Sequence, residues 1–470
     1  MRTLVLILSS LSAGYGAFDP AQDLIIRWPG PETPAAALLR QAGVKAVVLP
    51  ARGSESAARA CRDAGILAIA EMDSPGPPPE GFSGIACDAA ASEAATRAAA
   101  GKNAGLLQLV YLKPEQIHWR VAPALAVLRA GQWPGIRPRD PSKATASEAP
   151  WIDANSYYLA YLRGLFPERP ALLGYRPDED AGVSKERVLP YATLEVGLAE
   201  ALAAGGNAVL TIPDDYRKAL LAGDAKALSA WQSLGRMARF LAGHAATFRR
   251  PLATRVAVAA SSLEHHGELL NMMYRRNVAP AVFNPAALPG FSPSGFRILV
   301  ASGVGSSEAA RKSALAFAAA GGRLLAAPAE NEKPWWTAAG ARKTGSTEEF
   351  DCFEFGKGAI FGYREPIIDP AEFALDVIDA EGDGTRDLRL YNADSVVGIP
   401  HRLPGGGISV ELINYGGQTQ DFMVRVEGAF RKATWRTPEG PPTVLKLTRQ
   451  GTGTEVEVLY MNRFASILLE

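Results

Sequence analysis

The chain has 470 residues, more than one hydrophobic core supports, because single cores stop growing at roughly 250 to 300 residues; two or three domains are expected. Apolar residues make up 47% and charged residues 21%, ordinary usage for a soluble globular protein, which argues against both disorder and a membrane-embedded bundle. Its 49 basic residues balance its 49 acidic ones, with no basic stripe interleaved with aromatics, so a nucleic-acid partner is not expected and a neutral substrate suits the balance.

The amino terminus reads Met1-Arg2-Thr3, then an apolar run from Leu4 to Leu11, then the small residues Ala13, Gly14, Gly16 and Ala17. Charge, a short apolar core and a small-residue cleavage region form the order of a secretory signal, so residues 1–17 are expected to be removed and the protein to be secreted or periplasmic. The run is too short to span a bilayer, which takes about 20 residues. Tyr15 fits poorly at the third position before a cut after Ala17, a conflict that cuts after Gly14 or Gly16 avoid. A buried first strand is the competing reading.

From Leu24 onward short apolar runs alternate with amphipathic stretches, the pattern of successive βα units on a parallel sheet. Eight strands are expected: Leu24 to Trp28, Lys45 to Leu49, Leu67 to Glu71, Gly84 to Asp88, Leu107 to Leu112, Ala124 to Leu128, Ala171 to Tyr175 and Ala208 to Ile212. Eight is the number that closes a TIM (β/α)8 barrel, which would occupy 18–250. Helices are expected over Thr33 to Gln41, Ser54 to Ala64, Ser92 to Ala104, Trp151 to Phe166, Glu186 to Ala203 and Ala225 to His244. Two connections depart from the pattern. Ser74 to Gly81 holds four prolines and has no helical interior, and Pro114 to Trp119 allows a single turn. One mistaken strand would leave an open doubly wound sheet instead.

After Arg250-Pro251 the rhythm restarts with a strand at Arg255 to Ala259, a helix near Glu264 to Arg275, a strand at Arg297 to Ala301, a helix from Ser306 to Ala320 and a strand from Arg323. This predicts a flavodoxin-like α/β domain over 251–380. From about Arg386 strand alternation takes over, in Ile408 to Asn414, Asp421 to Glu427, Thr454 to Leu459 and Phe464 to Leu469, so 381–470 is expected to be a β-sandwich.

The order of barrel, α/β domain and sandwich, with the segments Gln132-Trp133-Pro134-Gly135-Ile136 and Pro150-Trp151-Ile152-Asp153-Ala154-Asn155, resembles glycoside hydrolase family 42 β-galactosidases and their glycoside-hydrolase-like relatives. The resemblance implies a catalytic barrel, a class I amidotransferase-like middle domain with a structural or homo-oligomer-forming role, and a carbohydrate substrate. It covers the chain as architecture, while its motif support is thin. The family's retaining pair is an Asn-Glu after strand four and a Glu after strand seven. Here those places read Cys87-Asp88-Ala89 and Arg176-Pro177-Asp178-Glu179-Asp180, so the pair does not carry over.

In a barrel enzyme the reacting groups lie at the carboxyl ends of the strands. Glycoside hydrolysis needs two carboxyl groups flanking the sugar bond. Glu71 and Asp88 end adjacent strands, and Asp153 and Asp178 lie in the connections after strands six and seven; these four are the candidate catalytic carboxylates. Each also fits a capping or ion-paired role, Asp153 especially, since an Asp in a helix's first turn favours the helix dipole. Trp28, Trp133 and Tyr175 offer flat rings for a sugar face, while Asn155, Arg27 and Arg176 offer polar contacts; the arginines, with Arg129, leave acidic sugars open as well.

Other signals carry less. Cys61, Cys87 and Cys352 lack disulfide or metal spacing and read as buried small residues. His118 sits near the barrel mouth, but the five histidines form no metal-binding cluster, so no metal is expected. Gly303-Val304-Gly305-Ser306-Ser307-Glu308 replaces the last Gly of the dinucleotide fingerprint by Glu, so no cofactor is expected. The middle domain has no cysteine in a nucleophile elbow, which argues against amidotransferase activity. Two functions remain: a secreted glycoside hydrolase using carboxylate acid/base chemistry, and a non-catalytic carbohydrate-binding protein on a degenerate glycosidase barrel. Carboxylates converging on an open aromatic cleft would favour the first, and a mouth closed by arginine–carboxylate pairs the second.

Overall fold

The structure, a computed structural model, describes residues 18–470 except 31, 135–136, 139–154, 176–186, 292–293, 338–339, 394 and 417–420. The expected leader, 1–17, lies outside the described residues. The chain divides into two compact units, Met1–Asn155 with Phe166–Arg249, and Ser156–Leu165 with Arg250–Glu470.

The first unit is a closed parallel barrel of eight strands: β1 (Ile25–Arg27), β2 (Ala46–Pro50), β3 (Leu67–Glu71), β4 (Gly84–Asp88), β5 (Leu107–Leu112), β6 (Leu125–Gly131), β7 (Leu172–Tyr175) and β8 (Asn207–Thr211), with β8 pairing back to β1. These are the eight strands expected, although β6 runs on to Gly131. Alternate residues fill the interior: Ile25, Ala46, Val48, Leu67, Ile69, Ala86, Leu107, Leu109, Tyr111, Leu125, Val127, Leu172 and Val209 pack as one cluster. Strand alternation also sets which side chains stand above that core. Past Ile25, Ile69, Ala86 and Val127, the next inward positions are Arg27, Glu71, Asp88 and Arg129. The same alternation that buries the core therefore raises charge at the barrel mouth.

Around the strands run α1 (Ala36–Gln41), α2 (Glu55–Asp63), α3 (Glu93–Lys102), α5 (Thr193–Ala203), α6 (Asp214–Leu221) and α7 (Ala225–Phe248). Ser92 and Asp224 cap α3 and α7 by accepting from the backbone N–H of Ala95 and Ala227. The two irregular connections are as expected. The β3–β4 link, with Pro75, Pro77, Pro78 and Pro79, has no helix, and the β5–β6 link has one 3₁₀ turn, Pro114–Gln116. A third departure was not expected: the helix read after strand six is present as α4 (Ser156–Leu165), but it groups with the second unit.

In that unit a seven-stranded sheet is built from β9 (Val256–Ala259), β10 (Ala281–Phe283), β11 (Ile298–Ser302), β12 (Arg323–Ala327), β13 (Arg342–Ser346), β14 (Phe350–Phe355) and β15 (Gly358–Tyr363) in the order β10-β9-β11-β12-β15-β14-β13. Its first five strands are parallel and the last pairings antiparallel. With α8 (Leu263–Arg275), α9 (Glu308–Ala319) and α10 (Pro370–Glu381) it has the strand order of a flavodoxin-like sheet extended by a hairpin. β10, β13, β14, β15 and α10 were not read from the sequence. The carboxyl-terminal strands form a four-stranded and a five-stranded sheet. One core joins them, Val424 and Val456 coming from the first sheet and Val410 and Ile467 from the second, which makes a sandwich.

No helix among the described residues is long and apolar enough to cross a membrane.

Candidate functional site at the barrel mouth

The charged residues at the strand ends are joined. Arg27 Nε donates to Glu71 Oε1 at 2.7 Å, with side chains 17% and 21% exposed. Arg129 Nη1 donates to Asp88 Oδ1 at 2.9 Å, and its Nη2 lies 3.9 Å from Glu71 Oε1. One guanidinium therefore spans both carboxylates. Beneath it Tyr111, on the strand between those of Asp88 and Arg129, offers the face of its ring, with the guanidinium carbon 4.6 Å from the centroid.

Burial shapes the titration of this group. The Tyr111 phenol is pushed far up, first by desolvation and then by the Glu71 charge. Burial disfavours the Arg27 cation, but the Glu71 charge and hydrogen bond outweigh it, so the guanidinium is raised and stays charged. The Tyr111 hydroxyl is buried and has no hydrogen-bond partner among the described residues. Two guanidiniums and two carboxylates cancel in formal charge, leaving donors and acceptors side by side on a neutral surface.

The chemistry follows from where Arg129 stands. A glycosidic bond must lie between its acid and its partner carboxylate, whereas here the Arg129 guanidinium reaches both acids, hydrogen-bonded to Asp88 and 3.9 Å from Glu71. Asp88, whose side chain is 71% exposed, is the open end of the quartet. Asp153, Asp178 and Arg176 lie outside the described residues.

The expected sugar-stacking surface is not at the mouth. Trp28 is fully buried, its Nε1 donating to the Glu32 carbonyl at 2.8 Å. It follows the inward-facing Arg27, so alternation turns it away from the barrel interior. Trp133 and Tyr175 stack on each other at 4.2 Å, 4% and 2% exposed. Asn155 is buried too, holding the Gln132 backbone in two directions, with Oδ1 accepting from the Gln132 N–H and Nδ2 donating to its carbonyl. These assignments as sugar contacts are corrected to packing roles, because none of the four presents a free face.

Asn155 and Tyr175 converge on an acid that the sequence did not mark out. Glu200 on α5 is fully buried and accepts from the Asn155 backbone N–H at 3.1 Å, from the Asn155 side-chain amide, and from the Tyr175 hydroxyl at 3.5 Å. Gly197, one turn earlier, leaves room for that hydroxyl: a Cβ there would stand 2.3 Å from it. The available signal was the absence of a polar face in Thr193 to Ala203, whose residues are all buried, so its acids had to be inside.

A second set braces the β1–α1 loop. Arg217, 3% exposed, pairs with Glu32 and Asp214 and lies against Gly30. Asp214 is the first residue of α6, after Pro213 at the cap position, and also meets Lys218 at 3.0 Å, so its charge lies at the positive end of the helix dipole. His118 lies at the surface, edge-on to Phe166, and its imidazole is pushed down by partial desolvation and then by the Arg169 charge. Cys61 and Cys87 are buried and their thiols raised by burial, Cys61 to about 11; Cys352 is only half-buried, because it lies on the hairpin strand β14. Among the described residues no three His, Cys, Asp or Glu side chains gather as a metal site would require.

No protein-family model matches the chain, and no curated protein matches it in sequence. Solved structures do match in fold. An α-L-fucosidase isoenzyme 2 from Paenibacillus thiaminolyticus is 10% identical with a TM-score of 0.56, over 96% of this chain and 100% of the other. A β-galactosidase from Rahnella sp. R3 is likewise 10% identical with a TM-score of 0.56, over 95% of this chain and 99% of the other. At such identity the likeness is one of fold, and it runs nearly end to end.

Proposed function

We propose that this chain is a carbohydrate-binding protein on a glycosidase-type fold, with an uncharged sugar seated at the barrel mouth on Arg27, Glu71, Asp88 and Arg129. The observation that carries this reading is the arginine–carboxylate pairing of the quartet. It supplies the alternating donors and acceptors that vicinal hydroxyls need, it is neutral overall, and it commits Glu71 to Arg27 and Asp88 to Arg129 instead of to a bond between the two acids. Because both arginines are already matched by acids, an acidic sugar would have to displace one of those acids.

A second reading, a glycoside hydrolase, is favoured by the end-to-end fold likeness to two glycosidases. It requires a carboxyl group beyond the quartet, a part that Asp153 or Asp178 would take. We also propose export, on the order of charge, apolar run and small residues in 1–17; amino-terminal sequencing of the protein from separated cell fractions tests it.

The discriminating experiment is to titrate the purified protein with neutral and uronic oligosaccharides by calorimetry and to assay the same panel for released sugar. Binding of a neutral sugar without turnover, weakened at least tenfold by Arg129→Ala, is the expected result. Turnover abolished by Asp153→Asn or Asp178→Asn would establish the hydrolase instead.

A further inference from the structure

The second unit holds a cavity of about 520 Å³ at the amino ends of its parallel strands, lined by Arg255, Phe296, Arg297, Phe317 and the Gly321-Gly322 turn. That volume falls within the range of roughly 300 to 1,000 Å³ typical of small-molecule pockets. Flavodoxin-like sheets bind ligands at the opposite edge, beyond the carboxyl ends of the strands. The cavity is thus neither that crevice nor the barrel mouth.

Its lining carries charge of one sign, from Arg255 and Arg297. The carbonyls of Phe317, Ala318, Ala319 and Gly322 already accept from Gly322, Gly321, Lys357 and Ala359, so the carboxyl end of α9 is capped. Arg255 is committed as well: its Nε donates to Asp387 and its Nη2 to the Thr385 carbonyl. Arg297 differs. It is half-buried beside β11, and among the described residues its guanidinium has neither a hydrogen-bond nor an ionic partner. A guanidinium has five donors and no acceptor, so what the cavity lacks is an anion with oxygen acceptors. Phe296 and Phe317 supply the apolar wall, both packed at a tilt against Phe291 with centroids 5.2 and 6.3 Å away.

We propose that this cavity binds a small organic anion, a carboxylate on a flat apolar body, with Arg297 as its charge partner and Phe296 as its wall. The full-length protein is titrated by calorimetry with benzoate, with benzyl alcohol as its uncharged counterpart and with inorganic phosphate. Benzoate is expected to bind one-to-one and about tenfold more tightly than benzyl alcohol, the difference a charge-assisted contact supplies. Arg297→Gln should remove about that factor while leaving the melting temperature in place, and Phe296→Ala should weaken benzoate. Arg27→Ala, in the other unit, should leave benzoate binding unchanged. The proposal is overturned if benzoate gives no saturable heat, if Arg297→Gln binds it as well as the parent, or if phosphate binds as tightly as benzoate, which would make the wall irrelevant.

Discussion

Arg27 and Glu71 meet across the mouth from strands separated by β2, and their 2.7 Å contact is the most protected ion pair of the quartet, each side chain about one-fifth exposed. Arg129 and Asp88 are as close, but Asp88 is largely in water. Exposed pairs contribute about 0 to 1 kcal/mol, and protected ones more, because removing one partner strands the other. A double-mutant cycle on Arg27 and Glu71, read by urea unfolding, should give a coupling above about 1 kcal/mol. The same cycle on Arg129 and Asp88 should give less than about 0.5 kcal/mol. Equal couplings would mean that protection at the mouth does not set the strength of these pairs.

Glu200 should matter more to folding than any acid of the quartet. Glu200→Ala leaves the Asn155 amide and the Tyr175 hydroxyl without their acceptor in a buried layer, a loss of roughly 2 to 4 kcal/mol. Glu200→Gln keeps a carbonyl oxygen and should recover part of it. Thermal unfolding orders the three proteins, and a Glu200→Ala protein as stable as the parent would remove the strut from the account.

The β1–α1 loop offers a test of packing instead of charge. A Cβ on Gly30 would stand 2.0 Å from the Arg217 guanidinium carbon, and that guanidinium is pinned by Glu32 and Asp214. Gly30→Ala should therefore cost about 1 to 3 kcal/mol. In an Arg217→Ala background the same change should cost almost nothing, since the obstructing group is gone. Additive effects in chemical denaturation would show that the loop moves away without involving Arg217.

Strand period made the barrel legible. Runs such as Leu67 to Glu71 and Leu107 to Leu112 declare themselves by composition, and eight of them close only one way. The same period predicts which of Arg27 and Trp28 faces inward, yet an aromatic at a strand end invites the reading of a sugar platform, and the buried Trp28 does not serve as one. Trp133, Asn155 and Tyr175 misled for a related reason: Trp133 stacks on Tyr175, which with Asn155 meets Glu200, 25 and 45 residues further along the chain, and nothing local marks the four as one cluster. The grouping of α4 with the second unit was equally hidden, since an amphipathic helix does not say which sheet its apolar face will meet.

Acid residues in the second unit set a pH dependence whose sign can be worked out. Glu381 is 3% exposed, and its carboxyl is pushed from an ordinary 4.5 to about 7, first by burial and then by the Asp387 charge, against the pull of Arg386 and Arg255. Glu411, fully buried between Ser409 and Ser466, is likewise raised to about 7 by burial. Both carboxyls hold their proton more tightly in the folded chain than in the unfolded one. Their contribution to stability is therefore complete below about pH 4.5 and declines as pH rises towards 7, where ionising them in place begins to cost as much as unfolding relieves. Each group is worth on the order of 3 kcal/mol across that interval. Glu381→Gln, which cannot ionise, should match the parent near pH 5 and exceed it above pH 7, and Glu411→Gln should behave alike. Unfolding midpoints measured from pH 5 to 8 decide the matter: if the advantage of the Gln variants does not grow with pH, these carboxyls are already ionised in the folded protein and the buried sites accommodate the charge.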